Sequence, residues 1–508
     1  MSHKSRRQNQ EEINAQAKKK KLAQKELRLE LAENGMSRPA HTTTSNCKSR
    51  FHSTAEEGLA RKEAAWEHLK VLQNNLPILL MRFAKIPDPR NPRKLKHKLS
   101  VLLLHGILAF VLQMSSSREA TREMSRPMFW ENLKHFFPEL EECPHHDTLK
   151  RLLSELEISE LENLHLDLIR GWIKKKKFRR YLIDNCYPIA IDGTQKTRRD
   201  ELWAEECLQR THNKEKSTEY TEYYVYVLQA SLAFSGGLSI PVMAEFLTYA
   251  GDGTDDSKQD CELKGFHRLA ERLKSAFPAL RIMLLMDGLY ANGPVMERCR
   301  RYKWQYMIVL KDGSIPTLLK EFESLADLEP QQRYVMAWRG RAQKFKWANK
   351  IEYDYGPNGK STMILHVVEC QEHWTEIDDN AQRVEKSSRH VWISSVPLDR
   401  WNLHDRCNLG ARARWTIENS FNVQKHHGYQ YEHCFSYDWN AMKGYHCLMQ
   451  LGYMFNVMAQ YSVELAKTIK DTGVHGLIRF VRETFASPWL DAEWIKEKRA
   501  APFQLRLT

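Results

Sequence analysis

Asp192 follows the apolar run Pro188-Ile-Ala-Ile191, Asp287 follows Ile282-Met-Leu-Leu-Met286, and Glu418 lies in the helix-like stretch from Arg412 to Lys425. Carboxylate oxygens are the ligands that hard divalent cations such as magnesium prefer. Two such ions about 4 Å apart can stabilise both the attacking and the leaving oxygen of a phosphodiester. In that chemistry Asp192, closing a first strand, could bridge both ions; Asp287, closing the fourth strand, could ligate one, and Glu418 could ligate the other. Acids at the carboxyl ends of neighbouring strands also match where open sheets place their sites. On an ideal helix Arg414, Glu418 and Lys425 project at roughly 0°, 40° and 20°, so a metal-binding acid and phosphate-binding bases would share one stripe. The plainer reading makes Arg414 and Glu418 a surface i,i+4 ion pair. Spacing alone favours it in a chain with 64 acids.

The elements that must position these acids can be read from hydrophobic periodicity. Pro188 to Ile191, Tyr223 to Phe234 and Leu238 to Leu247 read as strands, with Gly236-Gly237 as a hairpin turn. Cys261 to Phe277 carries Leu263, Phe266, Leu269, Ala270, Leu273 and Phe277 on one helical face. A buried strand to Met286, a helix from Gly293 to Arg301 and a strand from Trp304 to Leu310 follow, giving the order βββαβαβ: a mixed sheet flanked by helices. Residues 312–405 read as a β-rich insertion, and Trp439 to about Phe485 as mostly helical. Upstream, residues 55–184 are expected to form a helical DNA-binding domain: Val101 to Leu112 is apolar nearly all round, and His146 to Leu153 is a capped amphipathic helix, a core element or part of a DNA-reading module. Lys174 to Lys177 with Arg179-Arg180 is a solvated face or a phosphate contact. Residues 1–54 form a basic flexible or helical arm.

Ile191-Asp-Gly-Thr194, Leu285-Met-Asp-Gly-Leu-Tyr290 and Arg414-x3-Glu418-x6-Lys425 together resemble the DDE transposases of bacterial insertion sequences, the group with a Tyr-x2-Arg-x3-Glu-x6-Lys signature. The likeness covers roughly 185–460, and Asp88 to Leu112 looks like the helical segment that precedes this domain in some relatives. It implies a ribonuclease-H-like catalytic domain in 185–311 and 406–460, interrupted by the β-rich insertion, with a C-terminal helical region in 461–508. It further implies Asp192, Asp287 and Glu418 as catalytic metal ligands for two Mg²⁺ or Mn²⁺ ions, with Arg414 and Lys425 on the phosphates of the transposon ends. The partner would be double-stranded DNA, bridged by a homodimer. The chain departs from the signature at Ala411, where the tyrosine would fall. In some relatives the insertion supplies an aromatic that holds a flipped base; Trp338 and Trp347 are the candidates, although a core role is the better reading of either.

A net charge of +13 favours a polyanionic partner. No run of about 18 uncharged apolar residues and no signal-peptide order stands in the sequence, so a soluble cytoplasmic protein is expected, bacterial and nucleoid-associated if the resemblance holds. Ten cysteines without a CxxC pair fit reduced thiols. His145-His146, His426-His427, His433-Cys434 and His446-Cys447 lack the paired spacing of a structural zinc module. Asp260 and Glu262, after the Gly251 to Asp256 loop and within Lys258 to Glu262, read as helix-capping acids, with a place near the metals as the alternative. No GxxxxGK[ST] loop is present, which argues against ATP-driven work. Two rivals stay open: a nuclease of the same fold without strand transfer, and a DNA-binding protein whose catalytic centre is idle.

Overall fold

The structure, a computed structural model, describes residues 3–36, 49, 51–214, 216–249, 260–356 and 359–508. Cys47, the Gly251 to Asp256 loop, Lys258 and Gln259 lie outside them. The chain divides into two compact units, one of Met1–Thr42 with Arg281–Arg412, the other of Thr43–Leu280 with Ala413–Thr508.

The first unit opens with helix α1 (His3–Glu33). In the second unit, α2 (Thr54–Phe83), α3 (Leu99–Val111), α4 (Ser117–Met124), α5 (Pro127–Phe136), α6 (His146–Glu155) and α7 (Ile158–Lys174) precede the strands β1 (Tyr187–Arg199), β2 (Leu208–His212), β3 (Tyr220–Ala233) and β4 (Ser239–Leu247). Helix α8 (Glu262–Ala276) follows, burying Phe266, Leu269, Ala270 and Leu273 on the face its periodicity predicts. Strand β3 pairs antiparallel with β1, β2 and β4. Its hairpin to β4 turns on Gly236 and Gly237, both at φ near +95°, a region that only glycine enters without strain.

The other elements of the first unit are β5 (Ile282–Met286), α9 (Gly293–Tyr302), β6 (Gln305–Val309), α10 (Pro316–Leu328), β7 (Arg333–Trp338), β8 (Arg341–Tyr355), β9 (Ser361–Ile377) and β10 (Arg383–Ser394). Strands β5 and β6 run parallel, β10 joins β6 antiparallel, and β9, β8 and β7 continue as an antiparallel meander. Helix α1 buries Leu27 and Leu31 and pairs Lys20 with Asp379 at 2.5 Å and Glu30 with Arg383 at 2.7 Å on the β9–β10 hairpin. The second unit closes with α11 (Trp415–His426), α12 (Trp439–Gln460), α13 (Val463–Phe485) and α14 (Ala492–Ala500). Its spine is α12, buried at nearly every position and packed against α3 and α6. Gly452 lets α3 come close: a Cβ there would lie 2.6 Å from Phe110 Cβ and 3.1 Å from the Val111 nitrogen.

Strands of both orientations flanked by helices, with a helical N-terminal region, bear out the expected mixed α/β architecture and are consistent with a ribonuclease-H-like fold. Several local expectations need correction. Strand β1 does not stop at Asp192 but runs on to Arg199, because the long β3 supplies partners from Gln229 down to Tyr223 past a register shift between Gln195 and Thr197. The polar sequence beyond Ile191 hid this continuation. Strand β2 was not foreseen. The β-rich insertion also contains α10, which starts on Pro316 and buries Leu318, Phe322 and Ala326, a stripe of only three residues. Finally, the regular helix begins at Trp415, three residues after Arg412, preceded by a π-helical stretch His404–Gly410 and a 3₁₀ turn Ala411–Arg414.

Candidate metal centre

In the second unit, Asp192 and Glu418 meet through one guanidinium. Arg414, at the residue before α11 and 7 % exposed, places Nη1 2.6 Å from Glu418 Oε1 and 3.8 Å from Asp192 Oδ2. Its planar head also lies 4.7 Å from the ring centre of Trp415, whose side chain is largely exposed. Asp192 Oδ1 accepts from the Gly193 nitrogen at 2.9 Å. Burial pushes the Asp192 carboxyl up to about 6; the Arg414 charge pulls it back, while the carboxylates of Glu418 and Glu262 push it further up. Carboxylates crowded in this way favour any cation that joins them.

Glu262 stands in the first turn of α8, and the Tyr226 hydroxyl donates to its Oε1 at 2.7 Å. Gly193 makes room for this pair: a Cβ there would fall 2.5 Å from Tyr226 Cε1 and 3.0 Å from Glu262 Cδ. Glu262 is thus a first-turn acid of α8, whose N-cap Cys261 makes no side-chain cap bond, and its charge acts on Asp192. Asp260 is engaged elsewhere, in an ion pair with Arg268.

Asp287 belongs to the first unit. It directly follows β5, as its apolar run predicts, and caps a 3₁₀ turn by accepting from the Leu289 nitrogen at 2.9 Å. Lys311, just past β6, brings Nζ to 3.5 Å from Asp287 Oδ2. Its stem lies over Gly288, where a Cβ would meet Lys311 Cγ and Cδ at 3.0 Å.

Lys425, in the last turn of α11, pairs with Glu432 at 3.0 Å rather than with a member of the Arg414–Glu418 stripe. Ala411 is buried in the 3₁₀ turn. Trp347 is a core residue, whereas Trp338, at the end of β7, is half-buried with Arg339 and Arg412 over its ring at 4.7 and 5.4 Å. Part of the basic block after α7 is occupied: Lys177 and Arg180 donate to the carbonyls of Leu505 and Leu507 at 3.3 and 3.0 Å. Among the described residues, the one cluster of three or more His, Cys, Asp or Glu ligand atoms is His145-His146-Asp147, where His145 caps α6 by accepting from the Asp147 nitrogen at 3.3 Å. The nine described cysteines are free thiols. Sequence reasoning missed Tyr226 and Lys311, because nothing in their local pattern marks a side chain that reaches an acid on another element.

The strand-borne Asp192 and the helix-borne Glu418 thus share one arginine within a mixed α/β fold. The chain belongs to the DDE transposase family: the Transposase DDE domain model matches residues 188–455, more than half of the 508, and the DDE_Tnp_1-associated model matches residues 80–169. No curated protein matches it. Membership makes it an enzyme of the transposase type that acts on DNA and uses divalent metal. The donor set fits such an ion, since Asp192 and Glu418 present partly exposed hard oxygen atoms already sharing one cation. No helix among the described residues is long and apolar enough to cross a membrane.

Proposed function

We propose that the protein is an insertion-sequence transposase that binds terminal inverted repeats, cleaves them, and joins the freed 3′ ends to target DNA. The observation that carries this reading is the ion-paired contact of Asp192 and Glu418 with Arg414, which unites two of the three acids of the sequence pattern with its arginine. Asp192, Asp287 and Glu418 would hold two Mg²⁺ or Mn²⁺ ions. When bound, such ions supply the charge that an in-line displacement at phosphorus needs on its attacking and leaving oxygens. The chain's own side chains then bind and orient: Arg414 turns from the acids toward a phosphate, and Lys425, at the far end of α11, engages another. Two copies would bridge the two transposon ends.

Substitution provides the test. Asp192→Asn, Asp287→Asn and Glu418→Gln should each abolish cleavage of an end-bearing duplex while gel-shift binding persists. Undiminished cleavage by any one variant removes that acid from the mechanism. A pre-nicked end separates the rivals: cutting without joining identifies a nuclease, and no Mn²⁺ binding with intact DNA binding identifies an idle centre.

A further inference from the structure

We propose that Gln450 is a positioning residue for the metal site, locking the helix that carries Glu418 to the strand paired with Asp192; this role rests on the metal-site reading above. Gln450 lies on the buried helix α12, and its Nε2 donates to Gln424 Oε1 on α11 at 2.9 Å and to Gln229 Oε1 on β3 at 3.2 Å. His446, one turn earlier on α12, brings Nε2 to 3.4 Å of the same nitrogen. Gln229 is the residue of β3 that stands opposite Asp192 in the β1–β3 register. Directly opposed residues of an antiparallel pair project on the same face, so Gln229 and Asp192 are side-chain neighbours. Gln424 is on the buried face of α11, the helix that carries the partly exposed Glu418.

The two acids are therefore linked twice. Arg414 joins them directly through ionic contacts, and Gln450 joins their supporting elements through Gln229 and Gln424. These links answer differently to a bound cation. A divalent ion competes with Arg414 for both carboxylates, so the ionic link is weakened when the ion arrives. The amide link is neutral and fully enclosed, and survives.

Its composition also argues for geometry over stability. Gln229, Gln424, Gln450 and His446 are all nearly inaccessible, and Gln450 Oε1, Gln424 Nε2 and His446 Nδ1 make no hydrogen bond among the described residues. Buried polar atoms without partners are costly, and an apolar cluster would stabilise this core better. What amides provide, and alkyl side chains do not, is a fixed direction between α12, α11 and β3.

The test uses the full-length chain and Gln450→Leu, which keeps side-chain size and removes the amide. Mn²⁺ affinity is read by isothermal titration without DNA, cleavage is read at limiting and saturating Mn²⁺, and circular-dichroism melting reports folding. Gln450→Leu should stay folded, lose about tenfold or more in Mn²⁺ affinity, as loss of a support to a metal ligand typically does, and recover part of its cleavage at high Mn²⁺. Gln424→Leu should do the same, and the double variant should lose no more than the worse single one, because a single link is removed. Wild-type Mn²⁺ affinity in folded Gln450→Leu overturns the proposal. If that variant does not fold, wild-type affinity in Gln424→Leu overturns it equally. A wild-type chain that neither binds Mn²⁺ nor cleaves removes the metal-site reading and this role together, whereas an active wild type with an indifferent Gln450→Leu removes this role alone.

Discussion

Arg414 lies between the carboxylates of Asp192 and Glu418, so under the proposed function it would compete with the metal in the DNA-free protein and serve as a phosphate ligand once DNA binds. The two roles oppose each other in a single substitution. Arg414→Gln should strengthen Mn²⁺ binding severalfold without DNA, because the acids lose their internal counter-ion, yet cut end cleavage sharply, because the phosphate loses its guanidinium. Titration calorimetry and a cleavage assay on the same preparation check both halves, and weaker Mn²⁺ binding in the variant would contradict the competition. At this scale the sequence was informative in one place and silent in another. The i,i+4 spacing of Arg414 and Glu418 brings them together as the helix stripe requires, but Lys425 finds Glu432, a partner beyond the helix that no periodicity marks.

Among the elements, the insertion strand β9 carries Glu372, fully buried, which accepts from Arg341 at 2.7 Å, Gln343 at 2.6 Å, Arg412 at 2.7 Å and Ser388 at 3.2 Å. Burial by itself raises its proton affinity, but the side-chain bonds and the Arg412 charge outweigh it and hold the carboxyl well below its ordinary 4.5. A carboxylate with a depressed folded-state pKa contributes stability that is fully present above the unfolded value and is lost as pH falls toward the folded one. Glu372→Gln should therefore destabilise the protein by about 2 kcal/mol at pH 7, where it leaves the partly buried Arg341 and Arg412 uncompensated, and should flatten the stability loss below pH 4.5; denaturant titrations from pH 3 to 7 measure both. In the helical core, Gly452→Ala places a methyl against Phe110 and the backbone nitrogen of Val111. Such overpacking should cost about 1–3 kcal/mol in urea unfolding. The buried helices and the β3–β4 hairpin were legible because periodicity and paired glycines are local signals. The length of β1, the strand β2, the helix α10 and the irregular entry to α11 were not, because tertiary partners decide where a polar strand continues and where a helix becomes regular.

For the whole molecule, the relevant quantity is the net charge of +13. If six to ten phosphates are neutralised, affinity for end DNA should fall about 10³–10⁵-fold between 50 and 200 mM salt, which fluorescence anisotropy can follow; a flat salt response would mean that the basic surplus does not face DNA. Lys177 and Arg180 donate to the carbonyls of Leu505 and Leu507, which holds these cations in place without neutralising them. The sequence by itself determined the family, the mixed α/β class and the i,i+4 pairing beside Glu418, and it supplied the three acids of the proposed site. Each is written in residue type, order and short-range spacing. Only the tertiary structure decided that Asp192 sits within a strand rather than at its end, that Arg414 spans it and Glu418, that Tyr226 brings Glu262 alongside, and that buried glutamines tie α11 to β3. Those contacts join residues far apart in the chain, and a hydrogen bond between such residues exists only once packing has fixed the distance between the elements that carry them.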